Sequence, residues 1–142
     1  GRIPVVPGTF GTLPGLLIVL ASGNLALGWQ LTLSLALAVA AIPVCGVAED
    51  VFGRKDDRRI VADEYATLLL ATLGLPWQSH PWLLALAFVT HRILDIIKPP
   101  PARQAQSLTG GLGIVMDDVL SSLYALGLNH AIWWAWQHMR AG

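Results

Sequence analysis

Arg92-x-x-Asp95-x-x-Lys98 sets two cations and a carboxylate three residues apart, so that successive members are neighbours if the segment is helical. Pro99-Pro100-Pro101 follows at once and stops that helix, which puts Lys98 at its mouth. Two acid pairs stand elsewhere. Asp63-Glu64 runs directly into Tyr65-Ala66-Thr67-Leu68-Leu69-Leu70, and Asp117-Asp118 follows Gly110-Gly111-Leu112-Gly113. Each has a bland explanation: intrahelical salt bridges for the triad, and capping of a helix N-terminus for either acid pair. Together they support a sharper one. Clustered Asp and Glu oxygens suit a hard cation such as Mg2+, which keeps waters and binds phosphate. Arg92, Lys98 and Arg103 suit phosphate oxygens. The glycine run offers backbone N–H groups to an anion, a weak signal alone.

Such residues must be brought together by helices. The chain has 142 residues, 54% hydrophobic and only 13% charged, against about 25% charged in an ordinary soluble domain. One domain spanning 1–142 is expected from the length. Ten of the eighteen charged residues lie in 49–64 and six more in 92–118, leaving only Arg2 and Arg140 outside. Between these patches run long Leu- and Ala-rich stretches without period-two alternation, which predict an all-α bundle with helices near 13–21, 26–48, 60–75, 82–97 and 117–138. The run 25–44 is long enough to cross a bilayer, whereas 65–75 covers only about 16 Å.

Connectivity then predicts a two-ended molecule. Helix 26–48 delivers the first charged patch to one face, helix 60–75 leads away, the break at 76–81 turns the chain, and helix 82–97 returns beside the first patch. Helix 117–138 leaves again. Trp77, Trp82, Trp133, Trp134 and Trp136 fall at the far end, where an interfacial belt would sit. Most of the Lys and Arg residues sit at the charged end, which the positive-inside rule makes cytoplasmic. The helix centres read as bare of polar groups apart from Gln30 and His91, which disfavours a transporter.

Composition excludes several classes. The nine basic and nine acidic residues cancel, so nucleic-acid binding is not expected. A single cysteine, Cys45, permits no intrachain disulfide and lacks the following Arg of a cysteine phosphatase loop. No Asp-x-Asp motif, Walker loop or His-Glu-x-x-His is present, and no cleavable leader is expected. His80, His91, His130 and His138 share no metal-ligand spacing and read as packing or surface histidines.

Four blocks in order give the chain a resemblance to the phosphatidylglycerophosphatase A family. They are Val6-Pro7-Gly8-Thr9-Phe10-Gly11-Thr12-Leu13; Asp56 with Ile60-Val61-Ala62-Asp63-Glu64; Phe88-Val89-Thr90-His91-Arg92-Ile93-Leu94-Asp95-Ile96-Ile97-Lys98-Pro99-Pro100-Pro101; and Gly110-Gly111-Leu112-Gly113-Ile114-Val115-Met116-Asp117-Asp118. The resemblance implies an all-α, Mg2+-dependent phosphomonoesterase of the bacterial inner membrane that converts phosphatidylglycerophosphate to phosphatidylglycerol and phosphate. On that reading Glu64, Asp117, Asp118 and Asp56 hold the metal. Asp95, Arg92, Lys98 and Asp63 are catalytic, with Asp95 as orienting group, base or nucleophile. Thr9, Arg103, Gly110 and Gly111 bind substrate. The chain departs from the family pattern at Thr67, where Gly is expected, at His91, where an aromatic or apolar residue is expected, and at Pro100 in place of Trp. The competing readings are a small non-enzymatic membrane protein, for transport or assembly, and a phosphatase for another phosphorylated lipid.

Overall fold

The computed structural model describes the backbone of residues 7–53 and 62–142 and the side chains of 14–53 and 67–142. Among the described residues it is all helix and no strand: α1 (Pro7–Ser22), α2 (Leu27–Phe52), α3 (Ala62–Ala71), α4 (Trp82–Ile97), α5 (Ala102–Ala105) and α6 (Gly111–Ala141). The all-α expectation holds, with α5 as an unforeseen single turn after the prolines.

The shortest of the main helices lies at the centre. Thr67, Leu68, Leu69, Leu70, Ala71 and Thr72 are all buried, because α3 packs against α1, α2, α4 and α6. A helical stretch without charge on any side, as 67–71 is, belongs in such an enclosed place. This explains how a segment too short to span a bilayer is stably held: its neighbours, not lipid, cover it. Leu68, Leu69, Leu75, Trp77 and Leu83 join Val19 of α1 in one core cluster, and Ala38, Ala41 and Cys45 of α2 meet Ile114 and Val115 of α6 in another.

The second cluster depends on small residues. A Cβ on Gly111 would overlap the Ile42 carbonyl oxygen and fall 2.5 Å from the Gly46 nitrogen, so the backbones of α2 and α6 touch where two glycines face each other. Close approach through small residues is the usual way helices associate in lipid, where apolar side chains gain little by leaving the bilayer.

The two ends are as the charge pattern predicts. The C-terminus of α2 meets the start of α6 at Gly46 and Gly111. Lys98, closing α4, meets Asp117. At the opposite end Asn129 Nδ2 donates to the Ala71 carbonyl (3.1 Å), His130 Nε2 lies 2.8 Å from the Leu73 carbonyl, and Gly23 after α1 abuts Trp77. Helices α1, α3 and α6 therefore begin at the charged end, and α2 and α4 finish there.

Three expectations need correction. The glycine run is not a loop: Gly110 is the N-cap, at φ 64°, and Gly111–Gly113 form the first turn of α6. Asp117 and Asp118 consequently lie nearly two turns inside the helix, too deep for a capping role. The tryptophans also divide. Trp82, Trp133 and Trp136 pack together, with Trp133 and Trp136 stacked at 5.0 Å and His80 edge-on to both, but Trp77 is core and Trp134 faces outward beside His138.

Candidate active site

Lys98 is where the chain leaves α4, and its backbone is unusual. It adopts the left-handed conformation (φ 48°, ψ 65°) with its N–H donating to Leu94 O at 2.8 Å. The following Pro99 disfavours the right-handed helical region for Lys98, so the helix ends in a turn there. From that turn the Lys98 ammonium donates to Asp117 Oδ2 at 2.5 Å, although Asp117 is only 1% exposed. A buried charge persists only when paired and hydrogen-bonded. One helical turn earlier, Arg92 Nη1 donates to Asp95 Oδ2 at 3.2 Å, which holds the guanidinium along the helix. Asp118, 2% exposed, lies next to Asp117 in the same turn of α6.

Lys98 thus links the charged triad at the end of α4 to the acid pair of α6, nineteen residues on. Arg103, on α5, is exposed between the end of α4 and the start of α6. Gly110 is exposed and Gly111 buried at the α6 N-terminus, whose first amides point out of the helix in the manner that suits an anion. Asp63 and Glu64 lie in the first turn of α3. Since Ala71 meets Asn129, counting back along α3 puts that turn roughly 11 to 12 Å toward the charged end. Thr9 lies in the first turn of α1, again at the charged end. The side chains of Thr9, Asp63 and Glu64, and all of Asp56, lie outside the described residues.

Among the described residues no three His, Cys, Asp or Glu side chains converge to hold a metal ion. Asp117 and Asp118 supply two buried carboxylates. Their all-oxygen chemistry fits Mg2+ better than a soft metal.

Sequence reading missed two features. Glu49, counted only within the first charged patch, has its Oε2 buried with no hydrogen-bond partner among the described residues, one turn beyond the Gly46–Gly111 contact. The helix centres are not bare either. Thr90 donates to Asn129 Oδ1 (2.8 Å), and His91 Nδ1 lies 3.2 Å from Ser122 Oγ, all four residues buried between α4 and α6. Helical spacing was the available signal, since Ser122 and Asn129 follow Asp118 at four and eleven residues on one helical stripe.

Among the described residues two helices, α2 and α6, are long and apolar enough to cross a membrane. Only 22% of the α2 window is buried within the molecule, and Leu31, Leu35 and Val39 point outward from it. Fold and site together define a helical membrane-associated protein with a polyvalent charged cluster at one end. Residues 1–133 match the family described as Phosphatidylglycerophosphatase A. Relatives named Phosphatidylglycerophosphatase A from Haemophilus influenzae and Escherichia coli are 33% and 32% identical, covering 93% and 96% of this chain and 82% and 79% of their own. A Bacteroides thetaiotaomicron protein with the provisional name phosphatidylinositol-3-phosphatase is 33% identical over 94% of this chain and 87% of its own. No solved structure matches the chain. The chain belongs to the phosphatidylglycerophosphatase A family and is a phosphoric monoester hydrolase.

Proposed function

We propose that the chain hydrolyses the terminal phosphomonoester of phosphatidylglycerophosphate, releasing phosphatidylglycerol and inorganic phosphate, at the cytoplasmic face of the bacterial inner membrane. The Lys98–Asp117 contact carries this reading, because it joins the two most specific charged motifs at one end of an apolar bundle. A lipid substrate keeps its acyl chains in the bilayer and offers its phosphate at headgroup depth, which is the level of that end.

Arg92, Lys98 and Arg103 bind phosphate oxygens, and the charge they present to the transferring phosphoryl group supplies much of the acceleration. Asp95 orients Arg92, a role supported by their ion pair. Asp63 and Asp95 are the carboxylates available to take a proton from the attacking water as the ester P–O bond breaks and the glycerol oxygen is protonated. Thr9 and the amides of Gly110 and Gly111 hold the headgroup. Asp117 and Asp118, with Glu64 and Asp56, would hold Mg2+. When bound, the ion neutralises phosphate charge and lowers the pKa of a coordinated water.

The names of the relatives supply a second substrate, a phosphoinositide. Phosphate release should be compared for phosphatidylglycerophosphate, phosphatidylinositol 3-phosphate and phosphatidic acid in mixed micelles, with Mg2+ titrated against a chelator. Turnover confined to the first lipid and restored by Mg2+ is expected. Turnover of phosphatidylinositol 3-phosphate alone would overturn the substrate, and full turnover in chelator would overturn the metal. Release from none would overturn the proposed activity.

A further inference from the structure

We propose that His91 is a positioning residue whose bond to Ser122 sets the register of α4 on α6, and with it the meeting of Lys98 and Asp117. The kinetic part of this inference rests on the phosphatase reading above. Helices α4 and α6 run antiparallel, and three contacts follow one register along them: His91 to Ser122 (3.2 Å), Ser121 Oγ to the Leu94 carbonyl (3.5 Å), and Lys98 to Asp117. The middle contact is too long to be strong. Farther from the site, Thr90 bonds Asn129, but the same hydroxyl also lies within reach of the Leu86 and Ala87 carbonyls of its own helix (2.9 and 3.2 Å). Tyr124 Oη also donates to the Pro100 carbonyl (2.6 Å), which lies beyond the end of α4. Within α4, His91 therefore makes the firmest uncharged bond to α6 near the charged cluster, adjacent to Arg92 and one turn before Asp95.

A register needs a rung here because lipid removes the usual arbiter. Between apolar helices in a bilayer one register buries about as much hydrocarbon as the next, so polar pairs select among them. Sliding α4 by one turn, about 5.4 Å, would carry Lys98 out of hydrogen-bonding range of Asp117. His91 is poorly explained as filler. It is 0% exposed, and its Nε2 is buried with no hydrogen-bond partner among the described residues. An apolar side chain of similar size would avoid that penalty. The histidine gives up stability at Nε2 and keeps one directed bond through Nδ1, as expected of a residue retained for geometry.

The test uses His91→Leu, His91→Asn and Ser122→Ala in the full chain, with kcat and KM measured on lipid phosphate in micelles and thermal unfolding in the same detergent. His91→Leu and Ser122→Ala should lower kcat at least tenfold with KM within twofold, and the Tm of His91→Leu should not fall. His91→Asn places an amide near the position of Nδ1 and should recover most of kcat. A Leu94→Cys, Ser121→Cys pair reports register without any assay of activity, and its disulfide yield should drop when His91→Leu is added. Wild-type kcat in both single variants, or His91→Asn as slow as His91→Leu, would overturn the proposal. If the wild type turns over no lipid phosphate, the phosphatase reading fails and the cross-link decides this one: an unchanged yield overturns it and a reduced yield supports it.

Discussion

Lys98 and Asp117 are brought to 2.5 Å by two backbone features, a left-handed turn before Pro99 at the end of α4 and the glycine-led start of α6 that lets α2 press against it. The pair is largely shielded from water, with side chains 16% and 1% exposed. The contact welds two motifs of the candidate site and sets a stability cost on disturbing either.

Lys98→Met should therefore damage more than catalysis. Removing one member of a buried pair takes a counter-ion from the other, at a typical cost of about 3 to 5 kcal/mol. The double variant Lys98→Met, Asp117→Leu should recover most of that loss while remaining inactive. Thermal unfolding in detergent alongside phosphate release separates the two effects.

The acids separate chemistry from stability. Glu64→Gln is expected to abolish phosphate release while expression and membrane insertion stay at wild-type levels, and Asp117→Asn should abolish release as well but lower the Tm, because it takes a counter-ion from Lys98. Undiminished turnover in both would remove the metal-binding roles assigned to them.

Gly111 should tolerate no side chain. Gly111→Ala must push the α2 backbone away from Ile42 and Gly46, and overpacking of this kind costs about 1 to 3 kcal/mol. Gly127, in the same helix, has nothing within 4 Å of the place a methyl group would take, so Gly127→Ala should be neutral or stabilising by up to about 1 kcal/mol. The two Tm shifts should have opposite signs or differ by several degrees.

Asn129 bridges three helices, accepting from Thr90 and donating to the Ala71 carbonyl at the end of α3. That carbonyl belongs to the last turn of a helix and lacks an intrahelical donor. Asn129→Leu should cost about 0.5 to 2 kcal/mol. Thr90→Val should cost less, because Asn129 keeps its bond to Ala71. A double-variant cycle measured by unfolding gives the coupling directly.

The spacing of Arg92, Asp95 and Lys98, the proline stop, the two acid pairs and the alternation of charged and apolar segments determined the five longer helices, the directions of α2, α3, α4 and α6, and which end carries the charge. These properties are local or follow from chain connectivity, so they are visible in one dimension. The central place of α3 was not, since its four-sided burial depends on which helices surround it. The depth of Asp117 and Asp118 within α6 turned on whether Gly110 ends a loop or caps a helix, and glycine permits both. The polar seam of Thr90, His91, Ser122 and Asn129 also needed the tertiary structure. A hydrogen bond between residues 31 or 39 positions apart exists only once two helices choose a register, and that choice is a property of the packed bundle.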